Sequence, residues 1–327
     1  MNTGLQRFEY FLQQVEVLLT EAIKQKNAAA WLYKNNARTP FFMLEGLAKV
    51  YAELHNKKKF TKLKEHFKSI EDGLGAIDYY QSLVDYFAKN KLVQSDCKEY
   101  FAKMLTQKST YLNLLLVQKG WINAEGKRLK KIKSKLQEAE WLTPKQEAEE
   151  IAAFYGESIY NIIEFVTETK YHFDNVEEDV HELRRKLRWL SIYPHAFCGA
   201  IQFSAAKSTA PHLKKYTTPE ILKSPFNTFP KAGDNKNVVE LNKGYFLALS
   251  WVIAKLGSLK DEGLIITGLK EALQQTTSCT DDEAYAKAHS ILGKKYKKLQ
   301  VILDEAEVIT KQFFAENNLE NLLSKVS

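Results

Sequence analysis

Strand patterns, long apolar runs and a cysteine framework are all missing from this chain of 327 residues. Its three cysteines, Cys97, Cys198 and Cys279, are scattered and odd in number. They form no disulfide scaffold and have no zinc spacing, which fits a reducing compartment. Only 7 prolines and 14 glycines are present, so little interrupts a helix. No run approaches the roughly 18 apolar residues that span a bilayer. Residues Met1 to Thr20 are amphipathic without a continuous apolar core, so no signal peptide is expected and the location reads as cytoplasmic. There is no Gly-rich phosphate loop and no His-Glu-x-x-His. The expectation is therefore no metal, no cofactor and no enzyme. What is present is a helical mixture of Lys, Leu, Ala and Glu, with 45% apolar residues to build a core. A net charge of +7 permits a polyanionic partner without requiring one.

Arginine is the scarcest cation, and its placement is informative. Of the six, Arg184, Arg185 and Arg188 fall within five residues, in Asp179 to Leu190. Arginine differs from lysine in its rigid planar fork, which matches phosphate or carboxylate oxygens. On a helix, His181, Arg184 and Arg188 share one face at i, i+3, i+7, while Leu183, Leu187 and Leu190 form another. The plain alternative is a solvated basic face, paired with Glu177, Glu178 or Glu182. His195, after Pro194, reads as a turn histidine or as a second histidine lining a cleft.

Read in order, the chain opens with an N-terminal helix in residues 1–30 and continues with a first helical half, 31–142. Within it, Thr39-Pro40 reads as a helix start, and Tyr111 to Val117 as a buried apolar stretch. Thr143-Pro144-Lys145-Gln146 is a capping box and begins the second half, 143–327. Four prolines mark an irregular excursion at about 204–236, with a turn of helix after Thr218-Pro219-Glu220. Helices resume at Val238 and run through Leu256-Gly257. Thr280 to Glu283 is a second capping box, and Tyr285 to Thr310 and Phe313 to Leu323 finish the chain.

The chain also repeats itself. Gly126-Lys127-Arg128-Leu129-Lys130-Lys131-Ile132 matches Gly293-Lys294-Lys295-Tyr296-Lys297-Lys298-Leu299. The register continues through Leu136 on Leu303 and Glu138-Ala139-Glu140 on Glu305-Ala306-Glu307. Leu74-Gly75-Ala76-Ile77 echoes Leu256-Gly257-Ser258-Leu259. This predicts two related halves, each with a basic helix whose lysines stack at i, i+4.

Val180-His181-x-Leu183-Arg184-x-x-x-Arg188-x-Leu190 resembles the signature helix of the CHAD family, the conserved histidine α-helical domain. The resemblance covers about residues 30–315. It implies an all-α fold of two pseudo-symmetric helical bundles, a basic groove between them and binding of inorganic polyphosphate. Carried over, His181, Arg184 and Arg188 would be ligand residues. In the first half the matching stretch, Thr39 to Lys49, holds Glu45 and apolar residues where His and Arg are expected, and only Lys49 remains cationic. The Glu-x-Glu-x-Lys strand of a triphosphate tunnel, often joined to this family, is absent.

The leading expectation is a non-catalytic polyanion-binding module. Arg184, Arg188 and His181 contact the ligand, and Arg185, Lys49, Lys127, Lys130, Lys131, Lys294, Lys297 and Lys298 supply the surrounding field. The alternative is a helical scaffold for a protein partner, its anion site decayed and its arginines neutralised, by Glu45 for example. A nucleic-acid partner rests on net charge alone and is not expected.

Overall fold

The computed structural model describes residues 3–123, 126–205 and 210–323. The first part of the chain folds as α1 (Gly4–Ala22), α2 (Ala28–Lys34), α3 (Arg38–Leu54), α4 (Lys57–Phe87), α5 (Ser95–Gln118) and α6 (Lys127–Gln137). The second contains α7 (Pro144–Glu168), a π turn (Val176–His181), α8 (Glu182–Ala196), β1 (Ile201–Phe203), α9 (Pro219–Lys223), β2 (Val239–Leu241), α10 (Lys243–Thr276), α11 (Asp281–Leu292) and α12 (Leu299–Ala315). The described residues are thus overwhelmingly helical, as composition predicts.

Local chemistry sets the helix starts. Thr143 and Thr280 form the two expected capping boxes, and Asn27, Asn56 and Asn242 cap α2, α4 and α10 by accepting a backbone N–H. Two long helices, α4 with 31 residues and α10 with 34, are the struts. At 1.5 Å per residue each extends about 50 Å. Shorter helices pack along them: α3 and α5 on α4, and α8, α11 and α12 on α10.

The two parts are joined through continuous packing. Phe42 of α3 stacks on Trp189 of α8 with ring centroids 4.5 Å apart, and the same indole lies against Gly46. Tyr100 of α5 donates to Glu271 of α10 at 2.5 Å. Arg7 of α1 and Tyr51 of α3 both hydrogen-bond the buried carboxylate of Glu147 on α7.

Several sequence expectations need correction. Tyr111, Leu114 and Val117 are exposed at the end of α5, where Leu112 and Leu116 are buried and Leu115 is partly buried against the core. A predominantly apolar segment had hidden a helix with one buried stripe. The α3 helix starts at Arg38, before Thr39-Pro40, because Asn36 adopts a left-handed conformation (φ 55°) that ends the α2 turn early. The α10 helix begins at Lys243, after β2, and the last helices divide at Gly293 and end at Ala315.

The repeat also divides structurally. Gly126 precedes α6, whereas Gly293 to Lys298 form the turn between α11 and α12. The matched lysines therefore sit on a helix in one copy and on a turn in the other.

The excursion is a crossover. β1 and β2 pair in parallel, with Ile201 opposite Val239, and a parallel pair needs a long connection. At three residues each, these strands are too short for a period-2 signal. The predicted helical turn is α9. His195 Nε2 donates to the Phe226 carbonyl at 2.9 Å, tying the excursion to the end of α8.

Candidate functional site

A groove of about 1590 Å³ lies between the two parts of the molecule. Arg38, Phe42, Glu71, Gly75 and Tyr79 line it from α3 and α4. His181, Arg184, Arg188, Ile253 and Lys260 line it from the π turn, α8 and α10. Residues 220–226 and the start of α12 complete the lining.

The arginine helix reaches this groove because its leucines face elsewhere. Leu183, Leu187 and Leu190 are fully buried, which turns the His181, Arg184 and Arg188 face to the cavity. The preceding π turn is capped by Asn175, whose side chain accepts the N–H groups of Glu177 and Glu178. Asp179 accepts those of Asp174 and Asn175. These acids sit at a helix start, as expected from the macrodipole.

Charge pairing separates the cations of the groove. Arg38 binds Glu71 at 2.7 Å and Asp78 at 3.1 Å. Lys260 pairs with Asp261 at 2.7 Å, and Lys270 with Asp281 at 2.6 Å. His181 Nδ1 lies 2.8 Å from Glu177, and this bond holds the Glu177 carboxyl below its usual range. Among the described residues, no carboxylate lies within ion-pair distance of Arg184 or Arg188.

The two unpaired guanidinium groups are half-buried. Arg184 Nε donates to the Ile253 carbonyl at 3.3 Å, and burial lowers its pKa. Arg188 stacks on Phe42, its Cζ 4.8 Å from the ring centroid. Burial, followed by the charges of Arg184 and Arg38, pushes the Arg188 pKa down to about 10. The charged state is therefore stressed, and a bound anion would relieve it.

Two glycines position arginines in the same way. A Cβ on Gly257 would approach Arg184 Nε to 2.8 Å, and a Cβ on Gly75 would approach Arg38 Nη2 to 2.8 Å. Each long helix thus has a bare patch on which a guanidinium lies. The flanking residues differ. Glu71 and Asp78, four before and three after Gly75, neutralise Arg38. The corresponding positions around Gly257 are Ile253 and Lys260. Arg38 was missed from the sequence: the Leu-Gly echo and the acids around Gly75 mark α4, and only the packing of α3 on α4 brings Arg38 to them.

Of the cations expected at the site, only His181, Arg184 and Arg188 line the groove. Lys127, Lys130 and Lys131 are exposed on α6, which packs on α1 through Leu129, Ile132 and Leu136. Lys294, Lys297 and Lys298 lie on the turn before α12, and Lys297 pairs with Glu305 at 2.5 Å. Arg185 is exposed and paired with Glu182 at 2.6 Å. Lys49 lies over the Trp189 ring, and burial pushes its pKa down to about 8. None of these eight lines the groove: α6, α8 and α3 turn other faces to it, and the turn before α12 holds the remaining three lysines away from it. Nor is the groove uniformly basic: seven carboxylates line it against five lysines and arginines.

Among the described residues, no group of three or more His, Cys, Asp or Glu side chains is arranged to hold a metal ion. No helix among them is long and apolar enough to cross a membrane. Comparison with protein-family models, with curated proteins and with solved structures finds no match for this chain.

Proposed function

We propose that this protein is a non-catalytic anion-binding module whose ligand sits on Arg184 and Arg188, in the groove between its two parts. The observation that carries this reading is the pair of half-buried guanidinium groups with no carboxylate partner. A partly buried charge without a direct ion pair is costly, and the more distant Asp261 and Glu71 offset only part of the burial cost of Arg184 and Arg188. Here two such charges, four residues apart on one helix, face an open cavity, and oxygens of phosphate or carboxylate would satisfy both forks.

The proposal extends to kinship. We read the chain as a diverged CHAD-type protein built from two pseudo-symmetric helical bundles. Support comes from the parallel placements of Arg38 over Gly75 and Arg184 over Gly257. Inorganic polyphosphate, the ligand this kinship implies, is one anion that the arginine pair would accept. The outward-facing lysines add nothing to the groove, so a contribution from the arginine pair is the part of the expectation that geometry supports.

Binding without turnover is favoured by three of the side-chain hydroxyls that line the groove. Ser82, Ser191 and Thr267 donate to carbonyls of their own helices, which leaves them poorly placed as nucleophiles. The scaffold alternative calls for internally neutralised arginines. Glu45 is buried on α3 without an ion pair to Arg184 or Arg188, which favours the anion reading.

Titration calorimetry of the full chain with phosphate, tripolyphosphate and long-chain polyphosphate, at low and high salt, tests the reading. Salt-sensitive binding that disappears in an Arg184→Gln, Arg188→Gln variant supports it. Binding that is absent, or unchanged in the variant, overturns it. An RNA competitor serves as a separate arm and is expected to compete poorly.

A further inference from the structure

We propose that the preferred ligand of the groove is an organic anion with one charged head and an apolar body, not an extended polyanion. The inference rests on the anion-binding reading and adds the class of ligand.

The first ground is the extent of the cationic surface. Arg184 and Arg188 are adjacent on one helix, and beyond them the other lysines and arginines of the groove are already held by carboxylates. A phosphate chain running further along the lining would meet Glu71, Asp72, Asp78, Glu177 and Asp261. These acids are already paired with Arg38, Lys68, His181 and Lys260, so an extended chain would find no free cation there and would have to compete with the existing ion pairs. The site thus accepts one compact anionic head and opposes its extension.

The second ground is the rest of the wall. Phe42, Tyr79, Ile253, Leu264 and Ile265 face the cavity and are only partly buried. They provide apolar surface that stays in water until something covers it. Phe42 forms a link between the two features, since its ring carries the Arg188 guanidinium. The cavity, at about 1590 Å³, exceeds the roughly 300–1,000 Å³ typical of drug-sized pockets, so a body of substantial length fits beside the head.

The third ground is the excursion. It brings Ile221 and the exposed Phe226 to the lining, and His195 anchors it by the Phe226 carbonyl. Apolar side chains thus reach the groove from an element that carries no unpaired arginine. A chain of phosphates has no use for them, whereas an alkyl or aromatic body does.

The test compares heads with and without bodies on the full chain. Decyl phosphate and decanoate, used well below micelle formation, are titrated beside inorganic phosphate and long-chain polyphosphate. The two heads distinguish a phosphoryl from a carboxylate ligand. We expect one of the amphiphiles to bind at least about tenfold tighter than inorganic phosphate, because burial of the methylenes adds to the head contact. An Ile265→Asn variant should lose most of that advantage while phosphate affinity is retained. The Arg184→Gln, Arg188→Gln variant should lose both, with its helical circular dichroism unchanged.

Arginine-dependent phosphate or polyphosphate binding without an amphiphile advantage overturns this inference and leaves the anion site standing. Amphiphile binding that is insensitive to the arginines overturns both. An advantage that survives Ile265→Asn and a second wall variant, Leu264→Asn, also defeats the inference.

Discussion

Two arginines rest on glycines in this molecule, and only one of them is neutralised. Arg38 lies over Gly75 and is held by Glu71 and Asp78, whereas Arg184 lies over Gly257 beside Ile253 and Lys260. The local device is the same: an interior glycine lets a guanidinium approach a helix. The neighbours at minus four and plus three decide the consequence. With carboxylates there, the arginine ties α3 to α4. Without them, Arg184 and its neighbour Arg188 keep donors for an external anion.

The strongest way to break the contrast is to remove the free pair. Arg184→Gln with Arg188→Gln should lower anion affinity about a hundredfold or more, since each charged hydrogen bond is worth about 1.5–3 kcal/mol. Thermal denaturation should show stability unchanged or slightly raised, because an unpaired, partly buried charge is removed. A marked loss of stability would make the pair structural.

Next is conversion of one site into the other. Ile253→Glu with Lys260→Asp places carboxylates where the first half has Glu71 and Asp78. Anion affinity should fall about thirtyfold in calorimetry, as an internal partner competes with the ligand. Unaltered affinity would mean that the register around the glycine does not control the site.

A third prediction concerns Glu45, which lies near Glu71 on the neutralised side. Burial, then the Glu71 charge, raises its pKa to about 7. In the unfolded chain it titrates near 4.3. The folded state therefore holds its proton over a range in which the unfolded state releases it. Stability should decline as pH rises from about 4.5 to 7, by about 3 kcal/mol. Glu45→Gln should flatten that slope in denaturant titrations and stabilise the protein most at pH 8. A slope unchanged by the substitution would assign it to other groups.

Freeing Arg38 is the reverse experiment. Glu71→Gln with Asp78→Asn should cost about 1 kcal/mol of stability, since the pair is partly exposed, and should strengthen anion binding severalfold. Smallest is the glycine comparison. Gly257→Ala should weaken anion binding by about threefold through displacement of Arg184, and Gly75→Ala should leave it nearly unchanged. Equal effects would remove the distinction between the two arginines.

Much of this was readable before any coordinates. The capping boxes at Thr143 and Thr280, the buried leucines of α8 and the common face of His181, Arg184 and Arg188 all follow from spacing within one helix. The repeated lysine motif was less informative. Its copies match in residue type, yet α6 buries Leu129 and Ile132 while the other copy forms a turn. Tyr111 to Val117 failed for a related reason: apolar composition does not say which side of a helix has a partner.

The sequence by itself determined that the chain is helical, where its caps lie and which side chains share a helix face. Those properties depend on residues a few positions apart. Only the tertiary structure decided which faces meet across the groove, that carboxylates outnumber lysines and arginines on its wall, and that Arg38 is satisfied while Arg184 and Arg188 are not. A charge is neutralised by whatever lies within a few ångströms in space, and residues as far apart in the chain as Arg188 and Phe42 become neighbours only when the core closes.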